Sequence, residues 1–310
     1  VNQEHFRIEN LEISSPDYAS DKFSRGIYIE FTQSGDYDGI VIRNNDIHDI
    51  RGKLWTDRHR MAAIFMRSTT NADTHNFTVE GNRIERVNTR GVKIGGGDGW
   101  NYDMVVRNNY INRTGLAGIL IERAVNSVIE YNTVYRAGDY YPSGDQGGVL
   151  AACWAAKSEN IVIQYNEVAY TRLGDTNRPD GNLNEMSHDS EAFDIDVGAY
   201  GYHIFQYNYT HNNAGGFFLS MGKAGPDFDY AIIRYNVSVN DGRGFRDSEN
   251  DNANRIFELH GHNGDRYPFY VYNNLFYNTE GIWINNRARN DDDHDGWVFK
   301  NNVFYAPIGQ

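Results

Sequence analysis

The chain has 310 residues, of which 40% are hydrophobic, with 31 glycines, six prolines and one cysteine. A formal net charge of −13 at pH 7 disfavours nucleic acid and any polyanion bound without a bridging cation. The single thiol, Cys153, excludes an internal disulfide framework, and no apolar stretch approaches the ~20 residues of a membrane span. Because no polar low-complexity linker interrupts the chain, we expect one domain over residues 1–310.

A short phrase recurs ten times: alternating apolar residues, an Asn, and a second alternating pair. It runs from FRIENLEI and IVIRNNDI to FYVYNNLF and WVFKNNVF. The Asn residues are Asn10, Asn45, Asn82, Asn109, Asn132, Asn166, Asn208, Asn236, Asn274 and Asn302, at intervals of 23 to 42 residues. Such intervals are typical of a solenoid, whose coils stack because none can bury its apolar face alone. The sequence therefore predicts an all-β, single-stranded parallel β-helix of about nine to ten coils, with the Asn side chains joined in a ladder.

A second set of nine strands lies between these phrases, from GIYIE (26–30) to GIWIN (281–285). Side chains alternate between the faces of a strand, so the third and fifth positions of each segment should face outward. The third positions are Tyr28, Phe65, Lys93, Leu120, Leu150, Asp194, Phe218, Glu258 and Trp283; the fifth are Glu30, Arg67, Gly95, Glu122, Ala152, Asp196, Ser220, His260 and Asn285. Stacked coils lie about 4.8 Å apart, so this alignment predicts a hollow, with Asp196 flanked by the small residues Ala152 and Ser220.

The segment HDSEAFDIDV, residues 188–197, contains Asp189, Glu191, Asp194 and Asp196. Asp194 and Asp196 alternate with apolar residues, which predicts a half-buried strand with both acids on its outward face. Strands normally disfavour Asp. The longest repeat interval, 42 residues, places the polar insertion TRLGDTNRPDGNLNEMSHDS just before this strand. Long loops are commonly functional, so we interpret the strand as the floor of a substrate groove rather than as a solvated surface.

Paired carboxylates at this spacing suit glycoside hydrolysis, which needs a protonated acid and an ionised carboxylate. Asp194 and Asp196 should have Cα atoms roughly 6.5 Å apart, and their repulsion would raise the pKa of one of them. A bend could aim Asp189 at the same space. Trp154, one coil earlier, is expected to stack against a sugar. The other expected substrate-binding residues are Glu191, His211, Ser220, Glu122 and His260.

The Asn-laddered coils resemble the right-handed parallel β-helix of pectin-lyase-like carbohydrate-active enzymes over nearly the whole chain. The phrase DSEAFDID…FQYNYTHNNAGGFFL resembles bacterial secreted β-helix proteins, among them the lacto-N-biosidase-type glycoside hydrolases. This resemblance implies Asp189 as the acid/base and Asp196 as the nucleophile, with retention of configuration; Asp194 is our substitute for either. It also implies a secreted or cell-surface protein that acts on an oligo- or polysaccharide.

Two other functions stay open. A polysaccharide lyase needs a base and a positive charge against a uronate, but Lys93 and Arg67 are at least three coils from Asp194, so a lyase would require Ca²⁺ at the acidic strand. The second alternative is a non-catalytic carbohydrate-binding β-helix. The loop NRARNDDDHDGW (286–297) offers oxygen ligands for Ca²⁺ but fits no named calcium loop, so we expect no metal and no cofactor. The abrupt start at Val1 suggests a trimmed product, and a missing N-terminal segment or partner chain could complete the groove.

Overall fold

The computed structural model describes residues 2–15, 23–51, 60–139, 151–172, 190–196, 198–220, 230–242, 255–259, 269–279, 283–286 and 297–307. These residues form 32 strands, and all strand pairs are parallel. A search of the same residues for a helix long and apolar enough to span a membrane found none.

The strands build three sheets. Sheet A contains β1 (Arg7–Glu9), β5 (Val41–Arg43), β9 (Thr78–Glu80), β13 (Val105–Arg107), β16 (Ala124–Glu130), β19 (Glu159–Gln164), β22 (Tyr200–Gln206), β25 (Tyr230–Arg234), β28 (Phe269–Tyr272) and β31 (Trp297–Lys300), with β4 (Gly35–Asp38), β8 (Ala72–His75) and β12 (Asn101–Tyr102) beside this path. Sheet B contains β2 (Glu12–Ser15), β6 (Asp46–Ile50), β10 (Arg83–Val87), β14 (Tyr110–Thr114), β17 (Thr133–Ala137), β20 (Glu167–Ala169), β23 (Tyr209–His211), β26 (Val237–Val239), β29 (Leu275–Tyr277) and β32 (Val303–Tyr305). Sheet C contains β3 (Ile27–Phe31), β7 (Ala62–Ser68), β11 (Arg90–Ile94), β15 (Ile119–Glu122), β18 (Cys153–Ala156), β21 (Phe193–Ile195), β24 (Phe218–Ser220), β27 (Arg255–Leu259) and β30 (Trp283–Asn286).

A typical coil contributes one strand to each of the three sheets, and each strand pairs with its counterpart in the next coil. The longest paths hold ten strands, so the protein is a parallel β-helix of about ten coils, which confirms the predicted fold. Its core consists of inward-facing columns. Eight successive residues of one column in sheet A are 0–1% exposed: Ile42, Val79, Val106, Ile129, Ile163, Phe205, Ile233 and Val271.

The Asn ladder runs along the turn between sheets A and B. From Asn45 to Asn302, each side-chain Nδ2 donates to Oδ1 of the next Asn over 2.9–3.1 Å. Each Oδ1 also accepts the backbone N–H of the preceding ladder residue, as between Asn132 and Asn166 (2.9 Å). The first assignment was wrong: Leu11 occupies the ladder position of the first coil and donates its N–H to Asn45, whereas Asn10 lies one residue earlier.

The residue before each ladder Asn adopts a left-handed backbone conformation. In four consecutive coils it is a tyrosine: Tyr131, Tyr165, Tyr207 and Tyr235, with φ of 54–56°. Their rings stack with centroid separations of 4.9, 5.0 and 5.2 Å. A left-handed conformation costs a residue with a side chain about 1–3 kcal/mol, and the neighbouring ladder hydrogen bonds offset it. We call these four residues the tyrosine stack.

Candidate functional site

The outward face of sheet C carries the acidic strand. Consecutive strands place Lys93, Leu120, Trp154, Asp194, Leu219 and Glu258 in one register column. Phe193 and Ile195 are 0% and 1% exposed in the core, which confirms the predicted faces of this strand. Asp194 itself is only 3% exposed, and Asp196, the residue after β21, is half-buried. Asp194 is therefore not a solvated surface acid.

Part of the predicted alignment of sheet C was wrong. The strand before the acids is Cys153–Ala156, so Trp154 takes the column position assigned to Leu150, and Ala156 the position assigned to Ala152. The segment GVLAACWAAK satisfies apolar alternation in more than one register, and the predicted strand began four residues too early, so other residues stand beside the acids. Leu150 lies outside the described residues, and Ala152 is buried in the core.

The following coil was also misaligned, by one residue. Phe218 pairs with Phe193 and Ser220 pairs with Ile195, so both occupy inward positions, whereas Leu219 pairs with Asp194. The cause is the bend into this strand, where Phe217 and Phe218 both enter the core. Ser220 is therefore not beside Asp196. In the last coil a register shift places Asn285, instead of Trp283, beside Glu258.

Asp196 has a small neighbour, as expected, but a different one. Its N–H donates to Ala155 O over 3.2 Å, and continuing the register by one residue puts it beside Ala156. Ala156 pairs in turn with Glu122, which confirms that Glu122 lies two coils from Asp196. The methyl group of Ala156 leaves room above Asp196 on this side.

Trp154 lies between Leu120 and Asp194 in the column. The residue is half-buried and packs against the core, yet its indole Nε1 is buried with no hydrogen-bond partner in the part of the chain that the structure describes. Buried indole N–H groups usually have a partner.

A buried ion-pair cluster stands next to the acids. Arg255 Nη2 lies 3.1 Å from Glu191 Oε1, and Arg255 also contacts Glu258. The three side chains are 0–2% exposed. Charges at this depth persist only when paired, so Arg255 is fixed between two glutamates. Sequence reasoning missed Arg255, because its partner Glu191 is 64 residues away.

Gly216 makes this contact feasible. Ala192 N–H donates to Gly216 O over 3.0 Å, which places the glycine in the coil between Glu191 and Arg255. A Cβ on Gly216 would lie 2.7 Å from Arg255 O, closer than side-chain carbons normally approach. The GG of the sequence motif THNNAGGFF therefore serves close backbone packing beside the ion pair.

The chain enters the acidic strand through a strained residue. Ser190 has φ of 133°, a region that side-chain-bearing residues rarely adopt, at a cost of about 1–3 kcal/mol. Its carbonyl accepts from Thr171 Oγ1 (2.5 Å), and its hydroxyl donates to Arg172 O (3.1 Å). Its N–H donates to Glu191 Oε2 (2.9 Å). Such strain clusters at functional sites, and the residue before Ser190 is Asp189.

Lys93 lies at the other end of the column, three coils from Asp194, as predicted. Its Nζ is 3.1 Å from Glu122 Oε2. Burial lowers the pKa of Lys93 to about 8, although Glu122 opposes that effect. Glu122 is thus engaged with a buried cation instead of pointing freely into a groove.

The remaining expected site residues are separated from these. His211 is on sheet B, with its Nε2 3.2 Å from Glu167 Oε1. Asp189 and His260 lie outside the described residues, as does most of the loop 286–297. A search of the described residues for three or more His, Cys, Asp or Glu side chains placed to hold a metal ion found none.

Several solved structures resemble this coil architecture. The GH136 lacto-N-biosidase from Eubacterium ramulus, solved as the native protein and as a selenomethionine derivative, gives TM-scores of 0.71 and 0.70 at 21% and 20% identity. Each match covers 98% of this chain and 50% of the enzyme, so the chain spans about half its length. An alginate lyase from Paenibacillus sp. str. FPU-7 gives a TM-score of 0.42 at 12% identity, covering 94% of this chain and 99% of the lyase.

No curated protein sequence matches the chain. The family described as "Right handed beta helix region" matches residues 1–182, which is more than half of the chain. The same residues contain the repeat phrases and ladder asparagines from Asn45 to Asn166, and the structure stacks them as parallel coils. On both sequence and structure, the chain belongs to the right-handed β-helix family.

Proposed function

We propose that the protein is a glycoside hydrolase that cleaves a neutral oligo- or polysaccharide outside the cell, using the carboxylates of the acidic strand. The observation that carries this proposal is the placement of Asp194 and Asp196 opposite the buried Phe193 and Ile195. A strand that anchors its apolar side in the core holds its acids in fixed positions, as glycoside hydrolysis requires. The fold of a lacto-N-biosidase, shared over 98% of this chain, supports it.

We assign Asp196 as the nucleophile and Asp189 as the acid/base, with Asp194 as the substitute for either. Asp196 is half-buried, and its neighbour in the preceding coil is the small Ala156, which favours the approach of a sugar ring from that side. Trp154 supports the assignment, because it is only half-buried and lies one coil from Asp194. A sugar ring would pack on the accessible part of the indole.

A lyase acting on a uronate fits the described cations less well. Elimination needs positive charge against the uronate carboxylate and a base nearby. Arg255 is the cation beside the acidic strand, but it is 1% exposed and bound to Glu191 and Glu258. Lys93 is three coils from Asp194. The described part of this face therefore favours a neutral sugar.

The test replaces Asp196 with Asn and follows the release of reducing sugar from neutral glycans and aryl glycosides, lacto-N-biosides included. Removing a nucleophile should lower turnover by at least ~10³-fold while the protein stays folded and binds substrate. Asp36→Asn is the matched control, because Asp36 is 82% exposed on sheet A. Asp189→Asn should slow most the substrates with poor leaving groups, since those need acid assistance.

Full activity of Asp196→Asn would end the assignment at this strand. Products with the absorbance of an unsaturated uronate would identify a lyase instead. Binding without turnover on any glycan tested would identify a carbohydrate-binding β-helix.

A further inference from the structure

A second group of aromatic and ionisable side chains lies on sheet B, away from the acids of sheet C. It consists of Tyr135, Glu167, Tyr170, Tyr209 and His211, and we call it the sheet B cluster. Tyr135, Ala169 and His211 share one register column, and Glu167 and Tyr209 share the adjacent one. Three successive coils therefore bring a carboxylate, an imidazole and three phenols together.

Small Ala169 allows the rings on either side of it to meet. Tyr135 and His211 lie one coil before and one coil after it, and their ring centroids are 6.4 Å apart. Tyr170 contacts both rings edge to face, at 6.1 Å and 5.2 Å. Tyr209 stacks on His211 at 4.8 Å. The rings thus fix one another and need little ordering when a ligand arrives.

Hydrogen bonds within the cluster hold Glu167 through one of its two carboxylate oxygens. Its Oε1 accepts from Tyr135 Oη (2.5 Å) and from His211 Nε2 (3.2 Å). Asn212 Nδ2 lies 3.0 Å from His211 Nδ1, which places the imidazole proton on Nε2, facing the carboxylate. Burial and the hydrogen bond to Glu167 raise the pKa of Tyr135, so the phenol keeps its proton and donates.

The second oxygen of Glu167 has no hydrogen-bond partner in the part of the chain that the structure describes, and the side chain is 36% exposed. It is therefore an oriented acceptor that faces solvent. Around it, Tyr170 is 44% and Tyr209 42% exposed. The tyrosine stack differs, because Tyr165 and Tyr207 have equal exposure but a stacked neighbour on each ring face.

We propose that the sheet B cluster is a second saccharide-binding site that takes a neutral sugar unit. Sugar hydroxyls donate to a fixed carboxylate oxygen and exchange hydrogen bonds with phenols, while the C–H face of the ring packs on exposed aromatic surface. The negative Glu167 disfavours a uronate at this position. Binding of a sugar at this cluster does not require the sheet C acids to be catalytic.

The position of the cluster suggests how the two faces cooperate. Glu167 and Tyr170 belong to the same coil as the acidic strand, since β20 is followed by β21. The turn after β20 is bonded directly to the segment that leads into that strand, through Thr171 Oγ1 to Ser190 O (2.5 Å). A glycan chain bound at sheet B is therefore held on the face next to the one that carries Asp194 and Asp196.

The experiment measures binding in the Asp196→Asn protein, so that no probe is consumed. The probes are neutral polysaccharides (β-glucan, galactomannan, xylan) in affinity gel electrophoresis and neutral N-acetylglucosamine-containing oligosaccharides in calorimetric titration. Tyr209→Ala should raise the Kd of the bound probe about tenfold, as expected for the loss of an aromatic contact. Glu167→Gln should raise it at least about fivefold, because the charged acceptor is lost.

Tyr207→Ala is the matched control. Tyr207 and Tyr209 are both 42% exposed and two residues apart, but only Tyr209 belongs to the cluster. Unchanged affinity in Tyr209→Ala and Glu167→Gln, an equal loss in Tyr207→Ala, or no binding of any probe would overturn the proposal. Loss of affinity in Trp154→Ala alone would assign the binding to sheet C and overturn it as well.

Discussion

Replacing Asn166 with Ala tests whether the ladder holds the coils together. The Asn166 side chain is 1% exposed and makes contacts in three consecutive coils. Its Oδ1 accepts from the N–H (2.9 Å) and Nδ2 (3.0 Å) of Asn132. Its Nδ2 donates to Ile129 O (2.9 Å), Gln164 O (2.9 Å) and Asn208 Oδ1 (3.1 Å).

The expected cost follows from those bonds. The Asn132 N–H loses its ladder acceptor in the interior, and an orphaned buried donor costs about 1–3 kcal/mol. The other lost hydrogen bonds add about 0.5–1.5 kcal/mol each where no alternative partner takes over. We expect the free energy of unfolding to fall by about 4 kcal/mol, a large share of the ~5–15 kcal/mol of a typical domain.

Denaturant unfolding followed by circular dichroism measures this difference. Asn112→Ala is the control: Asn112 lies on the outer side of β14 and is half-buried, so the same substitution should change the free energy of unfolding by less than ~0.5 kcal/mol. A loss below ~1 kcal/mol in Asn166→Ala, or equal losses in both variants, would refute the view that the ladder stabilises the stack.

Two further predictions concern charged groups of sheet C. Arg255→Met should lower the free energy of unfolding by about 3–5 kcal/mol, because it leaves Glu191 and Glu258 buried without their shared cation. The control is Arg43→Met, which breaks the ion pair with Glu9, whose two side chains are 36% and 31% exposed. This substitution should lower the free energy of unfolding by less than ~1 kcal/mol. Because burial lowers the pKa of Lys93 from 10.5 to about 8, the folded protein binds fewer protons than the unfolded chain between those pH values. The free energy of unfolding of the protein, relative to that of Lys93→Met, should therefore rise between about pH 8 and pH 10.5, by at most ~1.4 kcal/mol per pH unit. Thermal unfolding of both proteins across this pH range measures the difference. A difference that does not change with pH would contradict the burial of Lys93.

The fold was predictable from sequence because its main constraint is periodic. From the second coil onward the ladder Asn recurs with the same alternating neighbours, and nine of the ten assigned positions hold in the structure. The exception, Asn10, fails because FRIENLEI offers Asn one residue before the position that Leu11 occupies. Local pattern locates a coil, but only pairing with the next coil sets its register.

The site was predictable only in part, for the same reason. The alternation around Asp194 was decisive, because Phe193 and Ile195 are unambiguous core residues. It was not decisive in GVLAACWAAK, where the same alternation fits registers four residues apart, so the position of Trp154 beside Asp194 was missed. The contact of Arg255 with Glu191 spans 64 residues and depends on the gap at Gly216, which no local pattern reveals.

The ladder also makes the spacing of the coils independent of the length of the loops between their strands. Asn109 and Asn132 are 23 residues apart and bond over 2.9 Å, whereas Asn166 and Asn208 are 42 residues apart and bond over 3.1 Å. Nineteen additional residues thus leave the rise between coils unchanged. During evolution, insertions between sheets can accumulate without refolding the strands that carry the acids. Duplication of a whole coil would lengthen the molecule by about 4.8 Å and supply a fresh surface, so specificity can diversify while the framework stays constant.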